Sequence, residues 1–186
     1  MTRVLIPLAD GFEEIEALTA VDVIRRGGVE VVTASIHDRL EVRSAHGVTI
    51  LADRLFSEVA GEEFEAIVLP GGGEGTENLK QCAPLADRLR RQHDEGRLLC
   101  AICAAPLVLL AAGVLDEGVE VTCYPTCQMD LDRGWSHAPV VADRNVITGQ
   151  GPGTSMLFAL VVLQALAGPV VAHKVARGMV TDVFGR

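Results

Sequence analysis

The chain has 186 residues, of which 49% are hydrophobic and 4% aromatic, and its formal net charge is −9. A chain of this length suits one domain with a sizeable core, so we expect residues 1–186 to form a single unit. The acidic balance and the scattered Lys and Arg residues argue against a nucleic-acid surface. The longest apolar stretch, 156–163, is far shorter than the ~20 residues that a membrane-spanning helix needs, so we expect no membrane insertion.

Five cysteines in a core-rich chain with no recognisable export signal indicate a reducing compartment, and we expect a cytoplasmic protein. In such a compartment a thiol serves as a packing residue, a reactive group or a metal ligand. The sequence contains no repeat and no Pro/Ser-rich linker, which favours one compact unit.

Six short apolar runs are typical of buried strands, and they cover Val4–Pro7, Val29–Ala34, Ala66–Leu69, Leu98–Ile102, Val119–Thr122 and Val146–Thr148. Helices are predicted over Glu13–Arg26, Leu85–Glu95, Ala104–Ala112, Thr154–Leu166 and Pro169–Val175, and a hairpin over Val42–Leu51. This alternation predicts a mainly parallel sheet covered by helices. Because ligands gather beyond the carboxyl ends of parallel strands, we expect the functional residues in the loops that follow these strands.

The loop after the first strand leads into a helix that carries an unusual carboxyl group. Asp10 and Glu13 have the spacing of a capping box, in which Asp10 accepts from first-turn amides and Glu13 reaches back. Glu16 lies on the apolar stripe of the helix, where an ionised carboxyl is costly. Two interpretations are open: Glu16 is protonated and donates a hydrogen bond to the sulfur of Cys103, or it extends from the end of the stripe to water.

Three glycines, Gly71, Gly72 and Gly73, follow the third predicted strand. The run lacks the Lys-Ser/Thr of a P-loop and the spacing of a dinucleotide fingerprint, which disfavours a phosphate-binding role. Glycines do let backbone amides approach a ligand closely, as an oxyanion hole requires, and the alternative is a flexible turn.

Cys103 stands between an apolar strand and an Ala-rich helical segment, so the chain must turn sharply there. A thiol at a helix start lies near positive backbone amides, which favour the thiolate, the nucleophilic and oxidisable form. Cys103 is therefore the candidate nucleophile. Cys100 completes a C-x-x-C spacing, but it lies inside the predicted strand and is interpreted as an inert core thiol.

Two further cysteines, Cys123 and Cys127, precede His137. Their spacing matches no closed zinc pattern, so we expect no metal site there. Cys123 is a candidate resolving thiol for Cys103 if the fold brings the two together. Trp135 stands alone on a predicted loop, where it either packs locally or lines the rim of a pocket or interface.

Thr154 and Ser155 follow a Gly-Pro-Gly turn and precede an almost wholly apolar helix. Capping of the helix start accounts for both hydroxyl groups, and they are also candidate pocket-lining groups. Four histidines lie in polar or amphipathic surroundings, and we expect them to be solvated: His37, His46, His93 and His173.

Four motifs in this order resemble the DJ-1/ThiJ/PfpI superfamily, and within it the DJ-1-like branch. They are Glu13–Glu16 leading into Val21–Arg26, then Leu69–Gly73, Ala101–Pro106 and Gly151–Ser155, and the match runs from Arg3 to about Val183. The resemblance implies a flavodoxin-like three-layer sandwich with helices on both faces of a mainly parallel sheet. It also implies a homodimer.

The same resemblance assigns roles to individual residues. Cys103 would lie at a strained strand-to-helix nucleophile elbow, with Glu16 as its carboxyl partner. Backbone amides near Gly72 and Gly73 would face the sulfur. Residues lining the binding pocket would be Ala104, Tyr124, Thr154 and Ser155.

Three positions depart from the superfamily pattern. Ala104 stands where hydrolase members carry His directly after the cysteine, which argues against peptidase activity. Tyr124 stands where a pocket histidine is common in the DJ-1 branch, so proton transfer must use Glu16, Tyr124 or water. His46 replaces an arginine that is often found in this segment.

The resemblance implies a cofactor-independent enzyme that uses Cys103 on small α-oxoaldehydes such as methylglyoxal, or on their early adducts with protein or nucleotide groups. One alternative is a redox sensor or stress-protective, chaperone-like protein in which Cys103 is oxidised without turnover. A second alternative is a cysteine hydrolase, which needs a histidine near Cys103, and His137 is the candidate.

Overall fold

A seven-stranded sheet forms the centre of the structure, a computed structural model that describes residues 2–131 and 135–181. The strands are β1 (Arg3–Leu8), β2 (Glu30–Ser35), β3 (Glu41–Arg43), β4 (Thr49–Leu51), β5 (Arg54–Leu55), β6 (Ala66–Leu69), β7 (Leu98–Ile102), β8 (Val140–Asp143) and β9 (Val146–Gly149). The sheet has the order β5-β2-β1-β6-β7-β9-β8, and its pairs are parallel except β8 with β9. β3 and β4 form a separate antiparallel hairpin, as predicted for Val42–Leu51.

Helices cover both faces of this sheet. They are α1 (Glu14–Arg26), α2 (Phe56–Val59), α3 (Gly73–Gln81), α4 (Ala83–Asp94), α5 (Pro106–Ala112), α6 (Gln128–Leu131), α7 (Ser155–Ala167) and α8 (Pro169–Gly178). Buried side chains of α1, α7 and α8 form one core with Ile6 and Val68, whereas those of α2 to α5 form the other with Leu5 and Ile67. Neighbouring strand residues enter different cores because side chains along a strand alternate between faces. This arrangement confirms the predicted α/β sandwich.

The structure differs from the prediction at several elements, and the short elements β5, α2 and α6 are among those not predicted. The sequence does not predict α3, because its two glycines and few apolar residues give a weak helical period. Val119–Thr122 is not a strand of the sheet, although its residues are buried except Glu120, and Val121 forms an isolated bridge to Trp135. The position at the edge of the sheet beside β9 is occupied by β8, which is only partly buried.

In the described part of the chain, no helix combines the length and the apolar character needed to cross a membrane. The apolar segment that comes nearest in sequence forms α7, a 13-residue helix. Its apolar residues serve packing instead: Phe158 and Val162 lie in the same core as residues of α1.

The extended segment that precedes Tyr124 is held to the sheet by a side chain instead of a strand ladder. The Thr122 N–H donates to Thr148 Oγ1 at 2.9 Å, and both residues are fully buried. The Thr122 hydroxyl itself has no hydrogen-bond partner among the described residues. The buried Thr122 amide therefore depends on the Thr148 hydroxyl as its acceptor.

We expect Thr148→Val to destabilise the protein by about 1–3 kcal/mol, because it leaves the buried Thr122 N–H without an acceptor. Thr122→Val is the matched control, because it makes the same change in side-chain shape but removes a hydroxyl that has no partner in the described part of the chain. Its effect on stability should be close to neutral or stabilising. Urea denaturation of the two variants measures the difference. Equal losses of stability would show that Thr148 has no special role as an acceptor.

Candidate functional site

Cys103 lies at the sharp turn between β7 and α5, as the sequence predicts. Its φ of 65° falls in the left-handed region, which costs a residue with a side chain roughly 1–3 kcal/mol. Two hydrogen bonds fix this conformation: the Cys103 N–H donates to the Gly149 carbonyl at 2.9 Å, and the Cys103 carbonyl accepts from the Tyr124 N–H at 2.8 Å. The predicted helix over Ala104–Ala112 begins two residues later, at Pro106, because the turn occupies its first positions.

The backbone amides of Gly72 and Ala104 interact with the Cys103 sulfur. The sequence predicts amides near Gly72 and Gly73 in this place. Gly72 has the predicted role, whereas Gly73 is the first residue of α3 and the second amide comes from the residue after the cysteine. Donors from two different loops therefore converge on one sulfur.

Glu16 carries its carboxyl group into this site from α1. Its residue surface is 1% exposed, which confirms that it lies on the buried face of the helix. Oε2 accepts a hydrogen bond from the Gly71 N–H at 2.7 Å, and the carboxyl also interacts with the Cys103 thiol. Burial raises the pKa of Glu16 to about 7, against the lowering effect of the Gly71 N–H and the Cys103 thiol. The interpretation of Glu16 as a side chain that reaches water is wrong.

The pKa of the Cys103 thiol is raised, and burial is the main cause. Negative charge on Glu16 raises it further, while the amides of Gly72 and Ala104 lower it. The sequence predicts a lowered pKa from the amides alone, and this direction is wrong because that prediction omits burial in the folded chain. The Cys103 and Glu16 side chains form a pair in which negative charge on one disfavours negative charge on the other.

The loop after β6 reaches the cysteine because Gly71 and Gly72 have no side chains. A Cβ on Gly71 would lie 2.8 Å from the Cβ of Cys103 and 2.9 Å from Oε2 of Glu16. A Cβ on Gly72, whose φ is 90°, would lie 2.2 Å from the carbonyl oxygen of Gly11. These glycines are therefore required for close backbone approach, and the interpretation of a merely flexible turn does not apply.

The predicted capping box at the start of α1 is absent. Glu13 occupies the N-cap position without a side-chain capping hydrogen bond. Asp10 instead accepts the Arg43 N–H through Oδ1 at 2.9 Å, while its own N–H donates to His37 Nε2 at 3.0 Å. His37 is thus a structural acceptor and not simply a solvated side chain. Asn78 completes this attachment by donating to the Asp10 carbonyl at 2.9 Å.

The predicted binding residues lie around the loops that follow β7 and β9. Tyr124 is largely exposed, and its ring would meet a Cβ on Gly151 at 3.3 Å. Thr154 Oγ1 donates to the Gly151 carbonyl at 2.8 Å, and Ser155 Oγ donates to the Pro152 carbonyl at 2.8 Å. Both hydroxyl groups therefore stabilise the turn before α7. They do not cap the helix itself, because the start of α7 has no side-chain capping hydrogen bond among the described residues, so the capping interpretation is wrong.

Cys123 and Cys103 contribute to different cores. Cys123 is fully buried in the core of α2 to α5, whereas Cys103 belongs to the core of α1 and α7. Burial raises the pKa of Cys123 to about 11, and its sulfur donates to the Tyr124 carbonyl at 3.4 Å. A resolving role for Cys123 toward Cys103 therefore gains no support from its surroundings.

Trp135 packs against the core that contains Cys123, and its ring stands edge-on to the ring of His137 with centroids 4.0 Å apart. Local packing therefore accounts for the isolated tryptophan. Cys127, Cys123 and His137 do not form a metal-ligand group within residues 2–131 and 135–181.

Sequence reasoning missed two backbone groups that position the nucleophile. The Gly71 N–H holds Glu16, and the Gly149 carbonyl holds the Cys103 amide. The glycine run gives a signal for the first, since an amide that touches a buried carboxyl needs a residue without a side chain. No signal in the sequence marks the second, because it depends on the pairing of β7 with β9.

Comparison with known proteins gives a match to the model of the DJ-1/PfpI family over residues 2–165. The chain belongs to the DJ-1/PfpI family. Protein dj-1beta of Drosophila melanogaster is 39% identical over 178 residues, which are 94% of this chain and 95% of that protein. The glutathione-independent glyoxalase DJR-1.2 of Caenorhabditis elegans is 37% identical over 169 residues, covering 89% of this chain and 88% of that protein.

The fold of this DJ-1/PfpI family member is shared with solved structures of its relatives. Oxidized Toxoplasma gondii DJ-1 superposes with a TM-score of 0.93 at 36% identity, covering 97% of this chain and 98% of that chain. Drosophila melanogaster DJ-1beta also gives a TM-score of 0.93, at 38% identity, with 96% and 97% covered. These matches confirm the flavodoxin-like α/β fold. The chain spans 41% and 45% of the lengths of two Arabidopsis thaliana relatives, the DJ-1 homologs B and A.

Two adjacent glycines should respond oppositely to alanine. Gly72→Ala places a Cβ against the Gly11 carbonyl at a positive φ, and we expect it to destabilise the protein by at least about 2 kcal/mol. Gly73→Ala meets open space at the first turn of α3 and should stabilise the protein by about 0.5–1 kcal/mol. Thermal or urea denaturation distinguishes the two. Similar effects of both substitutions would contradict the close-approach role of Gly72.

The raised pKa of Glu16 makes stability depend on pH. The carboxyl titrates near 4.5 in the absence of these surroundings and near 7 in the folded chain, so between these values the folded state holds the extra proton. The stability that this proton contributes is fully present below about pH 4.5 and is lost as the pH rises to about 7. Relative to Glu16→Gln, we expect the parent to lose about 3 kcal/mol over this range.

Urea denaturation of the parent and of Glu16→Gln at a series of pH values measures this loss. The Gln side chain keeps an oxygen for the Gly71 N–H but has no proton to release, so it is a matched control. Parallel pH profiles for the two proteins would show that Glu16 is not protonated preferentially in the folded state.

Proposed function

We propose that this DJ-1/PfpI family member is a cysteine-dependent enzyme of glyoxalase or deglycase type that acts on small α-oxoaldehydes such as methylglyoxal. The observation that carries the proposal is the position of Cys103, which is held at a strained turn with two amides on its sulfur and a carboxyl beside it. The relative from Caenorhabditis elegans named a glutathione-independent glyoxalase supports this substrate class. Early adducts of these aldehydes with protein or nucleotide groups would meet the same nucleophile.

The first step forms a bond between the Cys103 sulfur and the aldehyde carbon. The thiol proton passes to the Glu16 carboxylate, and Glu16 then delivers a proton to the aldehyde oxygen, which gives a hemithioacetal. The adjacent carboxyl suits this exchange because its pKa, about 7, lets it accept and release a proton near neutral pH.

The second step moves a proton between adjacent carbons. Glu16 takes the proton from the carbon that bears the sulfur and returns it to the neighbouring carbon. The hydroxyl proton of the hemithioacetal moves to the ketone oxygen in the same step, through an enediol, and the product is a thioester of the hydroxy acid. Water then attacks the thioester carbonyl, the carbon–sulfur bond breaks, and lactate leaves while Cys103 regains its proton. The sum is methylglyoxal plus water to lactate, so the route needs no external oxidant, reductant or cofactor.

The same contacts support a second candidate function, a redox sensor or stress-protective, chaperone-like protein. A sulfinate on Cys103 would accept hydrogen bonds from the amides of Gly72 and Ala104 and from a protonated Glu16. One of the structures that this chain resembles is described as oxidized DJ-1. In this function the sulfur is oxidised and no substrate is turned over.

The hydrolase alternative has less support. The residue after the nucleophile is Ala104, so no histidine adjoins Cys103 in sequence. His137 stacks edge-on with Trp135, and no hydrogen bond joins it to Cys103 in the described part of the chain. A hydrolytic cysteine needs such a base within hydrogen-bond reach.

Assembly as a homodimer is part of the proposal and rests on family membership. A cytoplasmic location likewise stays a prediction from the cysteine content. The substrate partner is a small neutral aldehyde or a glycated group.

Lactate formation from methylglyoxal tests the enzymatic function. We expect turnover by the parent without added cofactor. In Cys103→Ser the rate of lactate formation should fall by about 100-fold or more, because the nucleophile is removed. Glu16→Gln should lose a comparable factor, since an amide cannot accept the proton. Cys82→Ser is the matched control, because Cys82 is a half-buried thiol between α3 and α4 and has no role in the reaction.

Equal lactate production by the parent and by Cys103→Ser would contradict the proposal.

Peptide mass spectrometry after mild peroxide treatment distinguishes the two candidate functions. Selective oxidation of Cys103 among the five cysteines, with no lactate formed by the parent, would favour the redox-sensor function over the enzymatic one.

A further inference from the structure

Two carboxylates and one imidazole converge where α1 begins, beside the hairpin of β3 and β4. They belong to Glu13, Glu14 and His46, and one ligand atom of each lies within 4.8 Å of the others. His46 Nδ1 is 3.2 Å from Glu14 Oε2 and 3.6 Å from Glu13 Oε2. Within residues 2–131 and 135–181, no other three His, Cys, Asp or Glu side chains approach one another this closely.

These separations suit the donor atoms of a metal centre. Ligands held about 2.0–2.1 Å from a zinc ion in tetrahedral geometry lie roughly 3.3 Å apart. The two distances from His46 Nδ1 fall on either side of that value. Small side-chain movements would therefore be enough to place all three donors around one ion.

Glu13 is the member of the cluster that contacts within the protein do not explain. Its residue surface is 8% exposed, yet its side chain forms no capping hydrogen bond. Across the described residues its carboxylate makes no hydrogen bond, and its one ion-pair partner is His46 at 3.6 Å, beyond hydrogen-bond reach. A mostly buried carboxylate whose one partner among these residues lies beyond hydrogen-bond reach is poorly compensated, and a cation between Glu13 and Glu14 would compensate its charge.

The charges around the cluster also favour a cation. His46 is the only basic residue that pairs with either carboxylate in the part of the chain that the structure describes. No Lys or Arg in those residues forms an ion pair with Glu13 or Glu14. The carboxylates of Glu13 and Glu14 therefore share one weak base, so a positive ion would be attracted to them.

We infer that Glu13, Glu14 and His46 form a binding site for a divalent transition-metal ion, with Zn²⁺ as the best match. One imidazole and two carboxylates suit zinc, whereas Ca²⁺ and Mg²⁺ take oxygen ligands. Three protein ligands leave a coordination position open for water or a further ligand. The sequence predicts a solvated His46, and its side chain is indeed largely exposed. The sequence does not predict a metal site, so the ligand role of these residues is the new element of the inference.

The ligands come from two segments that already touch. Phe12 and Ser44 form a bridge, and the Ala45 N–H donates to the Phe12 carbonyl at 2.8 Å. A bound ion would add a coordinate cross-link between the start of α1 and the turn that joins β3 to β4. Because it binds the folded state, the ion should also raise the thermal midpoint of unfolding.

Titration of the metal-free protein with Co²⁺, followed by visible absorption, is the direct test, since Co²⁺ takes the same ligands as Zn²⁺ and absorbs light. We expect one equivalent to bind, Zn²⁺ to displace it, and Zn²⁺ to raise the thermal midpoint. Glu14→Gln and His46→Gln should each weaken Zn²⁺ binding at least about 10-fold in competition with a chromophoric chelator. His173→Gln, which changes an exposed histidine on α8, is the control and should bind like the parent.

Cys103→Ser separates this site from metal capture by the reactive thiol, and it should retain the bound equivalent. The inference fails if the parent binds no Co²⁺ or Zn²⁺, if binding survives both Glu14→Gln and His46→Gln, or if it disappears in Cys103→Ser. None of these measurements reads lactate formation, so their outcome is independent of the proposed enzymatic function.

Discussion

The buried carboxyl of Glu16 is the contact on which the site depends, because α1, the loop after β6 and the turn after β7 meet there. It accepts the Gly71 amide and interacts with the Cys103 thiol, so it fixes the relative positions of two loops. The burial of Glu16 and the positive φ of Cys103 both lower stability. Two cores, one on each face of the sheet, offset these local costs, which are typical of functional sites.

Much of the fold follows from local sequence signals. Short apolar runs and longer amphipathic segments predict the parallel sheet and its covering helices, because each pattern spans only a few residues. The turn at Cys103 and the apolar position of Glu16 can also be predicted from nearby residues. A strand-to-helix junction and the apolar stripe of a helix are both recognised within a short stretch of sequence. These are the parts of the candidate site that the sequence predicts correctly.

The remaining features depend on contacts between distant segments. The pKa of Cys103 is raised because the thiol is buried in the complete fold, and no local sequence pattern indicates that burial. Asp10 has the spacing of a capping residue, but it binds Arg43 of β3 and His37, which follows β2, instead. Likewise, Val119 and Val121 suggest a strand because they are buried, while the neighbouring Thr122 amide donates to the Thr148 side chain instead of to a strand.

The conformation of Cys103 depends on residues that are synthesised well after it. Its amide requires the Gly149 carbonyl and its carbonyl requires the Tyr124 amide, and Gly149 ends a strand that inserts between β7 and β8. Contacts between residues so far apart in sequence form only after the intervening chain has folded. During synthesis on the ribosome, the cysteine therefore emerges as an ordinary relaxed thiol. Its strained geometry arises with the closing of the sheet, so the candidate site is complete only after β9 has joined β7.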